Sequence, residues 1–359
     1  MIYEVFSAKN MLNMPRNKEI GSEFWLDADL KGERIYTREA LVLSGRTAID
    51  AIIKDILRAR KVRNVYMPAY CCESMIDPFF RNGIEVNLYD LEYNEGLHYI
   101  VDEEYPADIF YVNNYFGYEN TISKDIIENF KRNGAIVIYD KTHSLFMTND
   151  ATDELADYTF ASIRKWMGVV DGAVVNKRDG EFDLKLKDYP YLRSKIDAMR
   201  EKAKYIIQGD PTISKSGFLE KFSEFGRHLK EDYQEYKMDD LSVRIWLQSD
   251  KVSIREQRRE NAAILHMENE LHFFGKLSTG SCPIFVPVLF ESTEIRNAVR
   301  MNLMENKIYC PIHWPKNELV TSDMKVNKIF DTVLSLICDQ RYTQSDMERT
   351  IEVVDKSLT

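Results

Sequence analysis

Lys165 and Asp140 are the two residues whose types and spacing indicate chemistry. Asp140 ends an apolar run that starts at Gly134, and Lys165 follows 25 positions later in the segment from Tyr158 to Trp166. A lysine amine can condense with an aldehyde, and a carboxylate can keep a pyridine nitrogen protonated so that the ring withdraws electrons. In this order the two residues predict a pyridoxal phosphate site. Taken singly, each also fits a plainer role, a surface lysine or an acid that caps a turn.

A third element comes earlier in the chain, where an apolar stretch passes through Ser44-Gly45-Arg46 into an amphipathic helix. The free N–H groups and positive dipole end of a helix N-terminus favour an anion, and glycine lets that anion approach the backbone. The segment therefore predicts a phosphate-binding turn. The alternative interpretation is an ordinary serine helix cap.

Five segments carry a resemblance to a known family, from about Leu43 to the C-terminus. They are Ser44 to Ala48, Asn64 to Tyr70, Ile138 to His143, Ser162 to Gly172, and Leu334 to Tyr342 with Asp346-Met347. In order, they resemble the phosphate turn, Pro-x-Tyr strand end, acid segment, lysine segment and closing tail of the DegT/StrS group of pyridoxal phosphate-dependent sugar aminotransferases.

This resemblance implies a set of site residues. Lys165 and Asp140 are the implied catalytic residues, and the implied cofactor-binding residues are Lys165, Asp140, His143, Ser44, Gly45, Arg46, Tyr70, Cys72 and Ser162. His143 takes the place of a family Gln or His near the cofactor ring oxygen, although a buried, hydrogen-bonded histidine fits equally well. No metal site is expected.

The chain also departs from the family pattern. Cys72 stands where an aromatic residue usually stacks on the cofactor ring, so we expect Tyr70 to supply the stacking. Phe160 replaces a family serine, and Ser162 is its predicted substitute as a phosphate hydroxyl. Asp171-Gly172 lies where Gly-Glu-Gly-Gly is usual, and Glu235 replaces the asparagine of the Asn-x-Arg-Met that reaches a neighbouring subunit's phosphate. An acid is unfavourable there because it repels phosphate.

Composition narrows the class of protein. The chain has 359 residues, 44% of them hydrophobic, and a net charge of −10. This acidity, without a basic cluster, argues against nucleic acid or an anionic membrane as the main partner. No apolar run approaches the ~20 residues that span a bilayer, and Met1 to Asn10 lacks a signal pattern. Five cysteines without metal spacing suit a reducing compartment. We therefore expect a cytoplasmic protein.

Short β-branched or aromatic runs alternate with helical patterns through the first half of the chain, which predicts an α/β fold with a mostly parallel central sheet. Strands are predicted at Asn64–Met67, Glu85–Tyr89, Ile109–Val112, Ala135–Tyr139, Tyr158–Ala161 and Ala173–Asn176, and helices at Thr47–Arg60, Glu73–Asn82 and Ser123–Asn133. Ligands of such sheets bind beyond the carboxyl ends of the strands. This pattern matches the fold that the family resemblance implies, that of pyridoxal phosphate-dependent transferases with a smaller C-terminal α/β domain.

The second half of the chain is first helical and then mixed. We predict an N-terminal arm over 1–30, a large cofactor-binding domain over 31–250 and a small domain over 251–359. Within the small domain, a helix is predicted at Ile254–Asn269, and the prolines of the run from Cys282 to Phe290 predict an edge strand.

Two functional classes fit these observations. The preferred one, implied by the resemblance, is an aminotransferase of polysaccharide biosynthesis that moves an amino group from glutamate or glutamine to a keto sugar, nucleotide-linked, and works as a homodimer. A related dehydratase is disfavoured because that branch replaces the lysine by histidine. The alternative is a catalytically degenerate homologue with a binding or regulatory role, which the departures at Cys72, Asp171 and Glu235 support.

Overall fold

The computed structural model describes residues 19–26, 37, 39–120, 122–148, 150, 152–267 and 272–358. The predicted arm over 1–30 lies largely outside the described residues, as do Met1 to Asn10 and the last two residues of the predicted helix Ile254–Asn269. The strands are β1 (Ile20–Gly21), β2 (Ala40–Val42), β3 (Asn64–Pro68), β4 (Glu85–Tyr93), β5 (Leu97–Ile100), β6 (Ile109–Asn113), β7 (Ile136–Asp140), β8 (Tyr158–Ser162), β9 (Ala173–Lys177), β10 (His272–Phe273), β11 (Val286–Leu289), β12 (Ile308–Tyr309) and β13 (Val333–Leu336).

Helices connect these strands. They are α1 (Gly45–Ala59), α2 (Glu73–Arg81), α3 (Lys124–Arg132), α4 (Leu192–Ala203), α5 (Lys215–Glu231), α6 (Asp240–Gln248), α7 (Lys251–Met267), α8 (Thr293–Glu305), α9 (Asn327–Thr332) and α10 (Gln344–Leu358). A single 3-10 turn covers Ile163–Lys165, and a π-helical turn over Lys204–Gln208 extends α4. No helix in the described ranges is both long and apolar enough to cross a membrane.

Eight strands form the main sheet, in the order β2-β9-β8-β7-β6-β3-β4-β5. The five central strands from β8 to β4 run parallel, whereas β2, β9 and β5 pair with their neighbours in antiparallel fashion. The predicted α/β class with a mostly parallel central sheet is therefore confirmed. Because the five central strands point the same way, their carboxyl ends meet at one edge of the sheet.

Both faces of the main sheet are buried, which explains why its strands appear in the sequence as continuous apolar runs. Successive residues of a strand point to opposite faces, so each strand contributes to two separate cores. One core contains Tyr66, Phe110, Val112, Val137 and Tyr139, and the other contains Val65, Met67, Ile109, Tyr111 and Ile138. Helices α1 and α2 pack on the second face, where Ile49, Ile52, Ile53 and Ile56 of α1 are buried.

The C-terminal part has its own three-stranded antiparallel sheet, in the order β10-β11-β13. The prediction of an edge strand around residues 286–289 was wrong, because β11 lies between the other two strands. Pro287 is tolerated there because β10 pairs only with Val288 and Leu289. Pro287 itself takes part as an acceptor, since its carbonyl oxygen receives the Phe274 N–H at 3.2 Å.

The N-terminal segment Glu19 to Leu26 is fastened to the C-terminal part. Strand β1 pairs in parallel with β12, and Gly21 has a φ of 90° with so little room that a Cβ atom would lie 2.4 Å from the Tyr309 carbonyl oxygen. The Arg341 guanidinium lies 4.1 Å from the centre of the Phe24 ring and donates to the carbonyl oxygens of Ser22 and Glu23, both at 3.2 Å. The close backbone approach at Gly21 and the contacts of Arg341 together fix the position of this segment.

Candidate active site

The carboxyl ends of three parallel strands bring the predicted site residues together. Strand β6 ends at Asn113, β7 at Asp140 and β8 at Ser162, after which the 3-10 turn places Lys165 beside them. One cavity collects these side chains. It is lined by Ser44, Gly45, Arg46, Ile49, Cys72, Ser74, Met75, Asn113, Asn114, Asp140, Thr142, His143, Phe160, Ser162, Arg164, Lys165, Leu229 and Trp314. We call it the lysine cavity.

Asp140 is buried and held in a fixed orientation. Its Oδ2 accepts a hydrogen bond from the Tyr111 hydroxyl at 2.9 Å, and its Oδ1 accepts one from the Thr142 N–H at 2.7 Å. Burial raises the pKa of Asp140, while the bonds from Thr142, the charge of Lys165 and the bond from Tyr111 act in the opposite direction. These partners favour a carboxylate that is available to a cationic group in the cavity.

Lys165 reaches the same cavity from the turn after β8. Burial lowers the pKa of its amine, against the raising effect of Cys72 and Asp140. Arg164 and Arg46 add to the lowering because they are like charges. A lowered pKa increases the fraction of neutral amine, the form that acts as a nucleophile.

Two helix N-termini converge on the other end of the cavity. Gly45 begins α1, and Cys72 immediately precedes the first residue of α2. The Ser44 hydroxyl caps α1 by accepting the Thr47 N–H at 3.3 Å, so the helix-cap interpretation is correct for this residue, which also lines the cavity. A Cβ atom on Gly45 would lie 3.7 Å from the Ser162 Cβ, which places Ser162 directly against the turn.

His143 and Trp314 form an aromatic wall of the cavity. Their rings are 5.4 Å apart and inclined by 24°, a stacked arrangement. His143 is buried, its Nδ1 accepts the Phe116 N–H at 3.3 Å, and burial together with Lys165 and His313 holds its pKa well below the ordinary value. In the neutral ring the proton therefore lies on Nε2.

Of the predicted cofactor-binding residues, Tyr70 is the one that the structure does not bring to the cavity wall. Its side chain is fully buried behind the cavity, where the hydroxyl donates to the His313 carbonyl oxygen and the ring lies 5.0 Å from that of Trp314. Cys72 does line the cavity, with its Sγ 2.9 Å from the Ser74 Oγ. Trp314, from the loop after β12, lines the cavity together with His143 and Phe160.

The positions where the chain departs from the family pattern have partners of their own. Both carboxylate oxygens of Asp171 accept the Asp239 N–H, at 3.2 and 3.0 Å. Gly172 follows with a φ of 125°, and a Cβ there would lie 2.5 Å from the Met238 side chain. Glu235 pairs with Lys54 at 3.1 Å. These residues contribute to the local fold and do not line the lysine cavity.

The residues of the lysine cavity fit pyridoxal phosphate chemically. Lys165 offers an amine, Asp140 an acid, and the two helix N-termini with Arg46 offer an anion-binding end. Asn113 Oδ1 and Arg46 Nε are buried in this wall without a hydrogen-bond partner among the described residues, so the cavity has unused polar atoms for a ligand. The free space in the lysine cavity is about 50 Å³, so a ligand with a ring would need its wall to widen.

The fold and the arrangement of this cavity define a class. The chain has the fold of the pyridoxal phosphate-dependent aminotransferases of fold type I, as its likeness to solved structures shows. No protein-family model matches the sequence, and neither does any curated protein.

Several solved aminotransferases are similar to this chain in structure. One is PseC of Helicobacter pylori, an aminotransferase involved in the biosynthesis of pseudoaminic acid, with a TM-score of 0.67, 12% identity, and 95% of this chain and 99% of that chain covered. Another is a DegT DnrJ EryC1 StrS aminotransferase from Brucella abortus, with a TM-score of 0.59, 13% identity, and 89% of this chain and 86% of that chain covered. A third is NtdA of Bacillus subtilis with bound cofactor PMP, with a TM-score of 0.60, 17% identity, and 90% of this chain and 74% of that chain covered. The resemblance predicted from the sequence motifs is confirmed as a likeness in fold.

Proposed function

We propose that the protein is a pyridoxal phosphate-dependent aminotransferase that moves an amino group from glutamate or glutamine to a nucleotide-linked keto sugar. The observation that carries the proposal is that Lys165 and Asp140 share one cavity with the N-termini of α1 and α2. When bound, pyridoxal phosphate supplies an aldehyde for the amino group and an electron-withdrawing ring. Asp140 and Lys165 then have separate roles.

Asp140 would keep a proton on the ring nitrogen of the bound cofactor. Its hydrogen bonds from Tyr111 and Thr142 fix the carboxylate in place, so that little reorganisation is needed when the charge of the ring changes. Lys165 would hold the cofactor through its amine, and the same amine would move a proton to and from the substrate carbon as a general base and acid. The lowered pKa of its amine suits both tasks. Ser44, Gly45, Arg46 and Ser162 are the proposed phosphate partners, with His143 near the ring oxygen.

The sugar acceptor is supported by the solved structures, since PseC acts in the biosynthesis of pseudoaminic acid and the Brucella abortus protein is a DegT DnrJ EryC1 StrS aminotransferase. A homodimer is part of the same proposal, because shared clefts at a two-fold interface are what the family resemblance implies.

A second candidate function is a degenerate homologue that binds a ligand without turnover. The small volume of the lysine cavity and the presence of Cys72 at the expected stacking position favour it. The two candidates differ in whether the amine of Lys165 reacts.

The test is whether the purified protein is coloured and whether borohydride fixes the cofactor on Lys165. We expect a yellow protein, loss of colour with borohydride, and a pyridoxyl label on the peptide that contains Lys165. Lys165→Ala removes the label, whereas the control Lys141→Ala keeps it, because Lys141 pairs with Asp153 at 2.6 Å and does not line the cavity. A colourless protein that takes up no added cofactor contradicts the proposal.

A second experiment, in which a panel of keto sugars is offered to the protein, separates the two candidate functions. The protein is loaded with glutamate, and then keto sugars are offered, free and nucleotide-linked. Recovery of the original spectrum with a nucleotide-linked keto sugar alone supports the proposed acceptor. Recovery only with simple 2-keto acids indicates another class of aminotransferase, and no spectral change with glutamate supports the degenerate homologue.

A further inference from the structure

A second and larger cavity lies on the other side of Arg164 and Lys165. Its volume is about 580 Å³, within the range of small-molecule sites. Its wall includes Glu19, Ser22, Glu23 and Phe24 of the N-terminal segment and Tyr309 to Pro311 of the C-terminal part. Arg164 and Lys165 line both this cavity and the lysine cavity, so the two spaces adjoin at the reactive amine.

The wall of this second cavity is positively charged in a protein whose net charge is −10. Seven cationic side chains line it, against three carboxylates. The cations are Arg164, Lys165, Lys202, Lys215, Arg258, Arg300 and Arg341, and the carboxylates are Glu19, Glu23 and Asp339. A cleft with one sign of charge and low-dielectric walls concentrates ions of the opposite sign.

All three carboxylates already have cationic partners. Glu19 pairs with Lys215 at 2.7 Å, Glu23 with Lys195 at 2.8 Å and Asp339 with Arg341 at 2.8 Å. Each carboxylate therefore has a close cationic partner, and although Glu23 also interacts with Arg164 and Lys202, the wall keeps an excess of positive charge.

Two of those cations have no hydrogen-bond or ion-pair partner in the described part of the chain. The Nε atoms of Arg164 and Arg300 are buried and unpaired. Lys202 is also buried, and its amine donates to the Glu23 carbonyl oxygen, an uncharged acceptor. Burial lowers the pKa of Lys202 to about 7. Arg164 and Arg300 are half-buried, so their guanidinium groups can reach the cavity; a buried N–H without an acceptor is unfavourable, and an anionic ligand would supply one.

We propose that the second cavity is a substrate subsite in which Arg164 and Arg300 bind an anionic group, a carboxylate or a phosphate. The inference rests on the proposed function, because Lys165 must be the reacting group for this space to receive the substrate. Arg164 contacts the part of the ligand next to the amine, and Arg300, on α8, contacts the more distant part. The carboxylate would belong to the amino donor, and the phosphate to a nucleotide-linked acceptor.

Equilibrium binding tests this proposal without relying on turnover. The probes are 2-oxoglutarate and uridine diphosphate, titrated by calorimetry into the cofactor-treated protein. The variants are Arg300→Gln and Arg164→Gln. A third variant, Arg300→Lys, keeps the positive charge but loses the planar guanidinium group. Arg193→Gln is the matched control, because Arg193 is an exposed arginine that pairs with Asp197.

We expect Arg300→Gln and Arg164→Gln each to weaken binding of the recognised probe about ten- to a hundredfold, the range for a lost charge-assisted hydrogen bond. Arg300→Lys should fall between wild type and Arg300→Gln, and Arg193→Gln should match wild type. Weaker binding of 2-oxoglutarate identifies the carboxylate as the source, and weaker binding of uridine diphosphate identifies the phosphate.

Two outcomes would contradict the proposed subsite. One is wild-type protein that binds neither probe, and the other is binding that the Arg164 and Arg300 variants leave unchanged. The colour of the protein is read separately in every variant. A colourless wild-type protein that still binds a probe through Arg300 contradicts the proposed function and leaves the anion site standing.

Discussion

Asp171→Asn should change how the stability of the protein depends on pH. Asp171 is fully buried, accepts the Asp239 N–H with both carboxylate oxygens, and lies near the Asp239 carboxylate. Burial, with Asp239 adding to it, raises the pKa of Asp171 from 3.8 to about 7. The side chain ties the start of β9 to the first turn of α6, where Asp239 is the capping residue.

The direction of this pH dependence follows from proton linkage. The folded protein binds the Asp171 proton more tightly than the unfolded chain does, so this group favours folding below pH ~4 and loses that contribution as pH rises to ~7. A difference of about three pKa units corresponds to about 4 kcal/mol, of which about 2 kcal/mol is lost between pH 5 and pH 7. Above pH ~8 the contribution is constant.

Asparagine keeps the shape and one acceptor oxygen but does not titrate in this range. The free energy of unfolding of Asp171→Asn, relative to wild type, should therefore rise by about 2 kcal/mol between pH 5 and pH 7. Urea unfolding at pH 5, 6, 7 and 8 measures this difference, and thermal midpoints give the same trend. Asp197→Asn is the control, because that carboxylate pairs with Arg193 on an exposed helix face. A wild-type-minus-variant difference that stays constant with pH would refute the reasoning.

Three further predictions concern the cofactor and the assembly. Asp140→Ala should keep the fold and the colour but slow proton transfer by orders of magnitude, because a neutral ring withdraws electrons poorly; near-normal half-reaction rates with glutamate would contradict this, and a turn-capping role alone predicts only a loss of about 1 kcal/mol of stability. Trp314→Ala should weaken cofactor affinity about three- to tenfold in an absorption titration, the effect of one lost aromatic stack, and equal or tighter binding would remove Trp314 from that role. Light scattering at micromolar concentration should give at least twice the chain mass of 42.1 kDa, and an active monomer would be inconsistent with a shared site.

The sequence alone predicts six of the eight strands of the main sheet and misses its two edge strands, β2 and β5. Strands such as β6 and β7 are buried on both faces, so their apolar runs are continuous and end abruptly at Asn113 and Asp140. Each of these six predicted strands is present, with both ends within four residues of the predicted ones. The order of phosphate turn, acid and lysine predicted the lysine cavity, because parallel strands bring their carboxyl ends to one edge.

Other features depend on contacts between distant parts of the chain. Trp314 lies 149 positions after Lys165, and no local pattern distinguishes a tryptophan that lines a cavity from one that only packs. Tyr70 was predicted to stack on the cofactor because of its motif, yet its backbone places the ring behind the cavity, against Trp314. The central position of β11 was missed because proline usually marks an edge, and only pairing with β10 reveals the exception.

Unpaired charges are also invisible in a sequence. In the sequence, Arg164 and Arg300 cannot be told from any surface arginine. The structure distinguishes them, because the nearby carboxylates Glu19, Glu23 and Asp339 already form ion pairs with other side chains. Asp171 is a similar case. Only its burial beside Asp239 turns an ordinary acid into a group with a pKa of about 7.

The fastening of the N-terminal segment has a consequence for biosynthesis. Ile20 and Gly21 pair with Ile308 and Tyr309, and the Arg341 guanidinium holds the carbonyl groups of Ser22 and Glu23. Residues 20–23 are synthesised long before these partners, whereas domains generally fold as they emerge. The strands of the main sheet can pair early, but this part of the second-cavity wall forms only after Arg341 has been synthesised. A chain that stopped before Arg341 would therefore contain Lys165 and lack the contacts that hold Ser22 and Glu23 in that wall.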